Sequence, residues 1–160
     1  MAGPKKPVSV LVVIHTPALE VLLLERTAHP GFWQSVTGSL EDGEDPATAA
    51  RRETREETGI AATPAEFIDW RLANRYEIFP EWRHRYAPGI FHNLEHVFSL
   101  CVPRDPPVVI APDEHRASLW LPWKEAAGKV FSWSNRDAIL MLPRFQEAGM
   151  PPASPTSPLR

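Results

Sequence analysis

Apolar residues fall in short blocks along the first third of the chain. VSVLVVI at 8–14 and VLLLER at 21–26 are brief and rich in aliphatic and β-branched residues, and a polar, proline-containing stretch divides them. This pattern predicts two strands joined by a turn. FWQSVTG at 32–38 adds a short extended segment that leads into a polar, glycine-marked loop. The period then changes. Asp45 suits a helix N-cap, Pro46 the first helical position and Gly59 a left-handed stop, which predicts a helix from about Pro46 to Thr58. FIDWRLANRYEIF at 67–79, HVFSLCV at 96–102 and SLWL at 118–121 read as further strands. A last helix is marked by Ser134 as cap, with Asp137 three residues on. Ala138, Ile139, Met141, Leu142 and Phe145 form its apolar face, and Pro143 bends or shortens it.

These elements predict one α/β domain over residues 5–148, followed by a frayed tail, GMPPASPTSPLR, from Gly149 to 160. No internal repeat and no linker divides the chain. A hydrophobic fraction of 43% is ordinary for a globular protein, and the formal net charge of −3 argues against broad nucleic-acid binding. No apolar run reaches the length of a membrane span, and the N-terminal MAGPKKP lacks a signal-peptide core. The expectation is a cytoplasmic protein without membrane or nucleic-acid partners. Cys101, alone in the sequence, cannot form an internal disulfide and is expected to be a buried thiol. Trp33 and Trp133 are expected to pack in the core.

Chemistry enters with the first helix, which carries Glu53, Glu56 and Glu57 within one turn. Spacings of three and four residues gather their carboxylates on one face, where they repel. Arg51, Arg52 and Arg55 could neutralise such a face in solvent. A divalent cation is the other resolution, since hard cations take carboxylate oxygens together with substrate phosphates.

The order of residues separates the two. Gly38, Glu44, Arg52, Glu53, Glu56, Glu57 and Gly59 occupy every fixed position of G-x5-E-x7-R-E-U-x-E-E-x-G-U, with Ile60 at the final aliphatic position and Thr54 as the one departure. At a usage near 6% per residue type, seven such matches arise by chance roughly once in 10^9 starting points. The stretch resembles the box of the Nudix family. The resemblance implies an α/β/α sandwich with a mixed sheet, and Mg2+-dependent hydrolysis, with Mn2+ as an alternative metal, of a nucleoside diphosphate linked to another group. It also implies that Glu53 and Glu57 are metal ligands and that Glu56 is a further ligand or orients water. Arg52 is expected to pair with Glu44. Glu114, in PDEHRASLWL, resembles the additional carboxylate of related enzymes, as ligand or general base, while the neighbouring His115 carries a weaker signal.

Substrate must be read outside the box. KKPVSVLVVI from Lys5, FWQSVTGS at 32–39, RHRYAPG at 83–89 and SWSNR at 132–136 resemble a bacterial branch of the family that acts on a pterin triphosphate in folate synthesis, and the similarity runs over roughly residues 5–145. It implies hydrolysis of dihydroneopterin triphosphate to the monophosphate and pyrophosphate. Carried over by position, the resemblance implies that Lys5, Arg26 and Thr37 lie near the substrate, with Lys5 and Arg26 meeting phosphate, that Tyr76, Glu77, Ile78 and Phe79 form part of a pocket wall, and that Ser132 is a polar contact. A surface charge at Lys5, or core aromatics at Tyr76 and Phe79, are the plainer readings. Glu77 is a candidate for reading the pterin edge. Arg83, His84 and Arg85 form a basic loop near the site mouth that helps recognise triphosphate or orders on binding, with a merely structural loop as the plainer reading. A hydrolase preferring dATP and a non-catalytic nucleotide-binding module remain alternatives, the second disfavoured by an intact box.

Overall fold

The computed structural model describes residues 3–103 and 106–149. Val8–His15 (β1) is buried on both faces, as its nearly unbroken aliphatic run requires. It runs parallel to His92–Cys101 (β6) from Val8↔Leu94 to His15↔Cys101. Its other edge is shared: Val36–Ser39 (β4) pairs with Ser9–Val12, and Glu20–Arg26 (β2) meets only His15 through Val21. Trp33–Gln34 (β3) and His115–Pro122 (β7) pair with β2, and Phe67–Glu77 (β5) pairs with β6. The result is one mixed sheet of seven strands.

Alternation along β1 sends its side chains to two layers. Val10, Val12 and Ile14 pack with Leu22, Leu24, Phe98 and Leu100 beneath Ala49 and Ala50 of the helix Pro46–Thr58 (α1). Leu11, Val13, Leu23 and Val97 pack with Ala126 and Ala127 of Trp123–Lys129 (α2) and with Ala138, Ile139 and Leu142 of Trp133–Gly149 (α3). Burying each of the larger aliphatic side chains contributes roughly 1.5–3 kcal/mol. Trp70 closes this second layer, stacked on Phe145 at 4.0 Å and donating its indole N–H to Ser99 Oγ at 2.9 Å. The expected α/β/α sandwich is therefore present.

Local chemistry sets α1 as expected. Asp45 Oδ1 accepts from the Thr48 N–H at 2.8 Å, and Gly59, at φ +75°, donates its N–H to the Arg55 carbonyl at 2.9 Å. Elsewhere the structure departs from the sequence reading. Ser132, not Ser134, caps α3 by accepting from the Asn135 N–H at 3.2 Å, while Ser134 is buried inside the first turn. Pro143 does not end α3, which continues to Gly149; the remainder of the expected tail, 150–160, lies outside the described residues. β6 begins four residues before the expected 96, and α2 was not foreseen. Cys101 is exposed, because it is the final residue of β6. Trp33 packs partly into the second layer, whereas Trp133 lies on the surface at 46% exposure. No helix among the described residues is long and apolar enough to cross a membrane.

Candidate active site

Gly38 is the third residue of β4, and its Cα faces α1 because its partner on β1 is Val10. A Cβ built there would fall on the Glu53 carboxylate, so glycine is needed for close approach rather than for an unusual φ. Thr54, beside Glu53, is fully buried in the position the family pattern gives to an aliphatic residue, and its Oγ1 has no partner.

Arg52 organises the acids around it. Its guanidinium forks onto Glu44, with Nε to Oε2 and Nη2 to Oε1 both at 2.8 Å, as the sequence led us to expect. Nη2 also donates to the Ser39 carbonyl at 3.1 Å, and Nη1 donates to Glu53 at 3.1 Å and Glu56 at 3.2 Å. One arginine thus ties the loop before α1 to the acidic face. Arg51 and Arg55 are exposed and make no ion pair among the described residues, so a face neutralised by all three arginines is not what forms.

The three acids are unequal. Glu56 is half exposed. Burial, opposed by Arg52 and reinforced by Glu56 and Glu114, pushes Glu53 up to about 8. Glu57 is only 1% exposed, and burial followed by repulsion from Glu53 and Glu114 holds its carboxyl well above the usual range, against a hydrogen bond from the Thr37 N–H. Its Oε1 has no hydrogen-bond partner among the described residues.

A bulge in β7 supplies the next groups. Glu25 pairs with Ala117 and Arg26 with His115, leaving Arg116 as the extra residue. The preceding loop is pinned to the end of β2, where the Thr27 N–H donates to the Glu114 carbonyl and Thr27 Oγ1 to the Pro112 carbonyl, each at 2.9 Å. Ligand atoms of Glu57, Glu114 and His115 consequently lie within 4.8 Å of one another. His115 is buried, with Nε2 3.9 Å from Glu57 Oε1 and 3.3 Å from Gln34 Nε2, and burial followed by Arg26 pushes it down to about 4. It is a neutral imidazole at ordinary pH. A buried carboxylate oxygen without a donor, beside a second carboxylate and a neutral ring nitrogen, suits a divalent cation.

Cations stand opposite. Arg26 donates to Gln34 Oε1 at 3.2 Å and lies over the Trp82 ring at 4.9 Å, close enough to Glu57 and Glu114 to be acted on by both. Lys5 lies over Tyr86 at 5.9 Å and feels Glu53 and Glu114. Thr37 contributes its N–H to Glu57, and its side chain leaves β4 on the face opposite Gly38. Glu53, Glu57, Glu114, Lys5, Arg26 and Thr37 are thereby brought together.

The other expected contacts form a second region. Phe79, 40% exposed, stacks on Trp82 at 5.1 Å and meets Phe131 edge-on, which places it near Ser132, the cap of α3. Ile78 is buried, and Tyr76 is held by Asn93 Nδ2 at 3.0 Å. Glu77 leaves β5 on the opposite face from Tyr76, exposed and 3.7 Å from Arg83, so it is not joined to these residues. Glu95, on the Tyr76 face, is 4% exposed with Oε1 unpartnered, and burial pushes it up to about 7. Sequence reasoning passed over Gln34 and Glu95 and undervalued His115. The position of His115 beside Glu114 was the available signal; Glu95 lies in the polar first part of β6 and Gln34 in a two-residue strand, and neither carried one.

The NUDIX domain model matches residues 5–142, and the chain belongs to the Nudix family. Among its relatives is the dihydroneopterin triphosphate diphosphatase of Escherichia coli K12, 46% identical over 138 residues that cover 84% of this chain and 91% of that protein. The Haemophilus influenzae protein of the same name is 40% identical over 134 residues, covering 82% and 84%. The solved structure of the E. coli dihydroneopterin triphosphate pyrophosphohydrolase superposes with a TM-score of 0.80 at 45% identity, covering 86% of this chain and 95% of that one.

Proposed function

We propose that this chain hydrolyses dihydroneopterin triphosphate to the monophosphate and pyrophosphate, with Mg2+ held by Glu53, Glu57 and Glu114. Relatives of that name at 40–46% identity over most of the chain support the substrate. The observation that carries the chemistry is the placing of Lys5 and Arg26 against Glu53, Glu57 and Glu114, a cation–anion pairing that suits a metal-bound polyphosphate.

Each residue then has a task. Arg26 binds phosphate oxygens through its planar fork and Lys5 as a point charge. Thr37, the residue before Gly38 on β4, is the proposed contact where backbone and substrate meet. Glu56 stays on the solvent side of the acids, turned by Arg52, where it can order water. Glu114, exposed on its loop, is placed to ligate or to accept the proton of attacking water. Bound Mg2+ supplies Lewis-acid polarisation of phosphoryl oxygens and activation of water, and Mn2+ can replace it. Tyr76, Ile78, Phe79 and Ser132 are the proposed contacts to the pterin; Glu77, on the opposite face of β5 and beside Arg83, is not among them. A small-molecule triphosphate in the cytoplasm, with neither nucleic acid nor membrane, is the proposed setting.

Pyrophosphate release from dihydroneopterin triphosphate, in the parent and in Glu57→Gln, tests the reading. Release that requires Mg2+ and disappears with Glu57 is expected; binding without release in the parent would make the chain a nucleotide-holding module instead.

A further inference from the structure

Lys5, Arg26 and Arg85 come from three separate segments and converge. Lys5 is pushed below its usual range by burial and then by Arg85 and Arg26, and Arg26 by burial and then by Arg85. Among the described residues none of the three forms an ion pair with a carboxylate. Arg26 spends one nitrogen on the neutral Gln34, and its buried Nε has no hydrogen-bond partner among the described residues. Three clustered cations, of which Lys5 and Arg26 between them feel Glu53, Glu57 and Glu114 only at longer range, with no carboxylate in ion-pair contact among the described residues, suit a polyanion.

Arg83, two residues before Arg85 in the 3-10 helix Pro80–Arg85, is different. It donates to the Ile78 carbonyl at 3.0 Å, lies 3.7 Å from Glu77 and covers the Phe91 ring at 5.1 Å, so it is occupied in holding its own loop. Arg85 has no such side-chain partner among the described residues, yet its backbone is fixed. Its carbonyl accepts from the Lys5 N–H at 2.8 Å, and the neighbouring Tyr86 forms a parallel β-bridge with Lys5. Lys5, His84, Arg85 and Tyr86 line an open cavity of about 510 Å³.

We propose that Arg85 is a phosphate-binding residue, the third cation of a clamp that Lys5 and Arg26 begin. Its ligand is a polyphosphate chain, gripped bidentately by a guanidinium held in place through main-chain bonds to Lys5. The identity of the whole substrate rests on the function proposed above; the grip on phosphate does not.

The test is calorimetric binding of inorganic tripolyphosphate and of pyrophosphate, with Mg2+ present, to the parent, Arg85→Gln, Arg85→Lys and the control Arg51→Gln. The expected result is a tripolyphosphate affinity roughly tenfold or more weaker in Arg85→Gln, partly restored in Arg85→Lys and unchanged in Arg51→Gln, with no loss of melting temperature. Loss for both ligands assigns Arg85 to the departing pyrophosphate, and loss for tripolyphosphate alone assigns it to the phosphate retained by the product. Parental affinity in Arg85→Gln, or an equal loss in Arg51→Gln, would overturn the clamp. A parent that binds tripolyphosphate but leaves dihydroneopterin triphosphate intact would overturn the proposed reaction and leave the clamp standing.

Discussion

The Glu53 carboxylate occupies the space that a side chain on Gly38 would need. The glycine of β4 and the acid of α1 are one device, in which a missing Cβ lets the carboxylate approach the sheet closely. Gly38→Ala should displace Glu53 and lower kcat/KM by roughly a hundredfold, the usual cost of misplacing a catalytic group by about 1 Å. Steady-state kinetics beside a thermal melt would check this; an active Gly38→Ala enzyme would show that Glu53 has freedom to move.

Arg52 holds Glu44 through two hydrogen bonds of 2.8 Å and reaches Ser39, Glu53 and Glu56 as well. Lysine keeps the charge but cannot form this fork. Arg52→Lys should therefore lose 10–100-fold in metal affinity or activity, about what supporting residues around a metal ligand contribute. Metal titration followed by calorimetry would measure the loss.

Glu57 combines burial, like-charge neighbours and an unpartnered oxygen, a costly arrangement in the absence of a cation. Glu57→Gln should raise the stability of the protein in EDTA by about 1 kcal/mol while lowering turnover roughly a hundredfold or more. Urea melts with and without chelator would expose the trade. Equal destabilisation in both conditions would mean that Glu57 serves the fold.

Glu95 gives a prediction in pH. Burial raises its folded value to about 7 from 4.5, so the folded state holds the proton more tightly than the unfolded chain. Its contribution to stability is complete below about pH 4.5 and is lost as pH rises through 7. Glu95→Gln removes that loss and should be more stable than the parent at pH 8, by at most about 3 kcal/mol, with the advantage narrowing toward pH 5. Denaturant melts at the two values would decide it.

Much of the fold was legible because local and tertiary preferences agree. Asp45, Pro46 and Gly59 mark the ends of α1 by backbone chemistry, and the β1 run is too apolar for anything but a strand buried on both faces. The failures lie where tertiary context decides. α2 has only seven residues and no side-chain cap, so no local signal announces it. The first part of β6, His92–Glu95, alternates exposed and buried positions with polar residues on the buried side, which conceals a strand. Cys101 looked internal because its neighbours are apolar, yet the strand ends on it. In the site, the box announced its own carboxylates. The proximity of His115 to Glu57 depends on a bulge at Arg116, and the gathering of Arg85 with Lys5 depends on a main-chain bridge, neither of which leaves a spacing in the sequence.

The most direct test of the central claim is kcat/KM with Mg2+ for dihydroneopterin triphosphate beside dATP, GTP and a dinucleoside polyphosphate. A large preference for the pterin is the predicted result. Equal or greater activity on dATP would contradict the substrate assignment while leaving the proposed metal-dependent chemistry of Glu53, Glu57 and Glu114 standing.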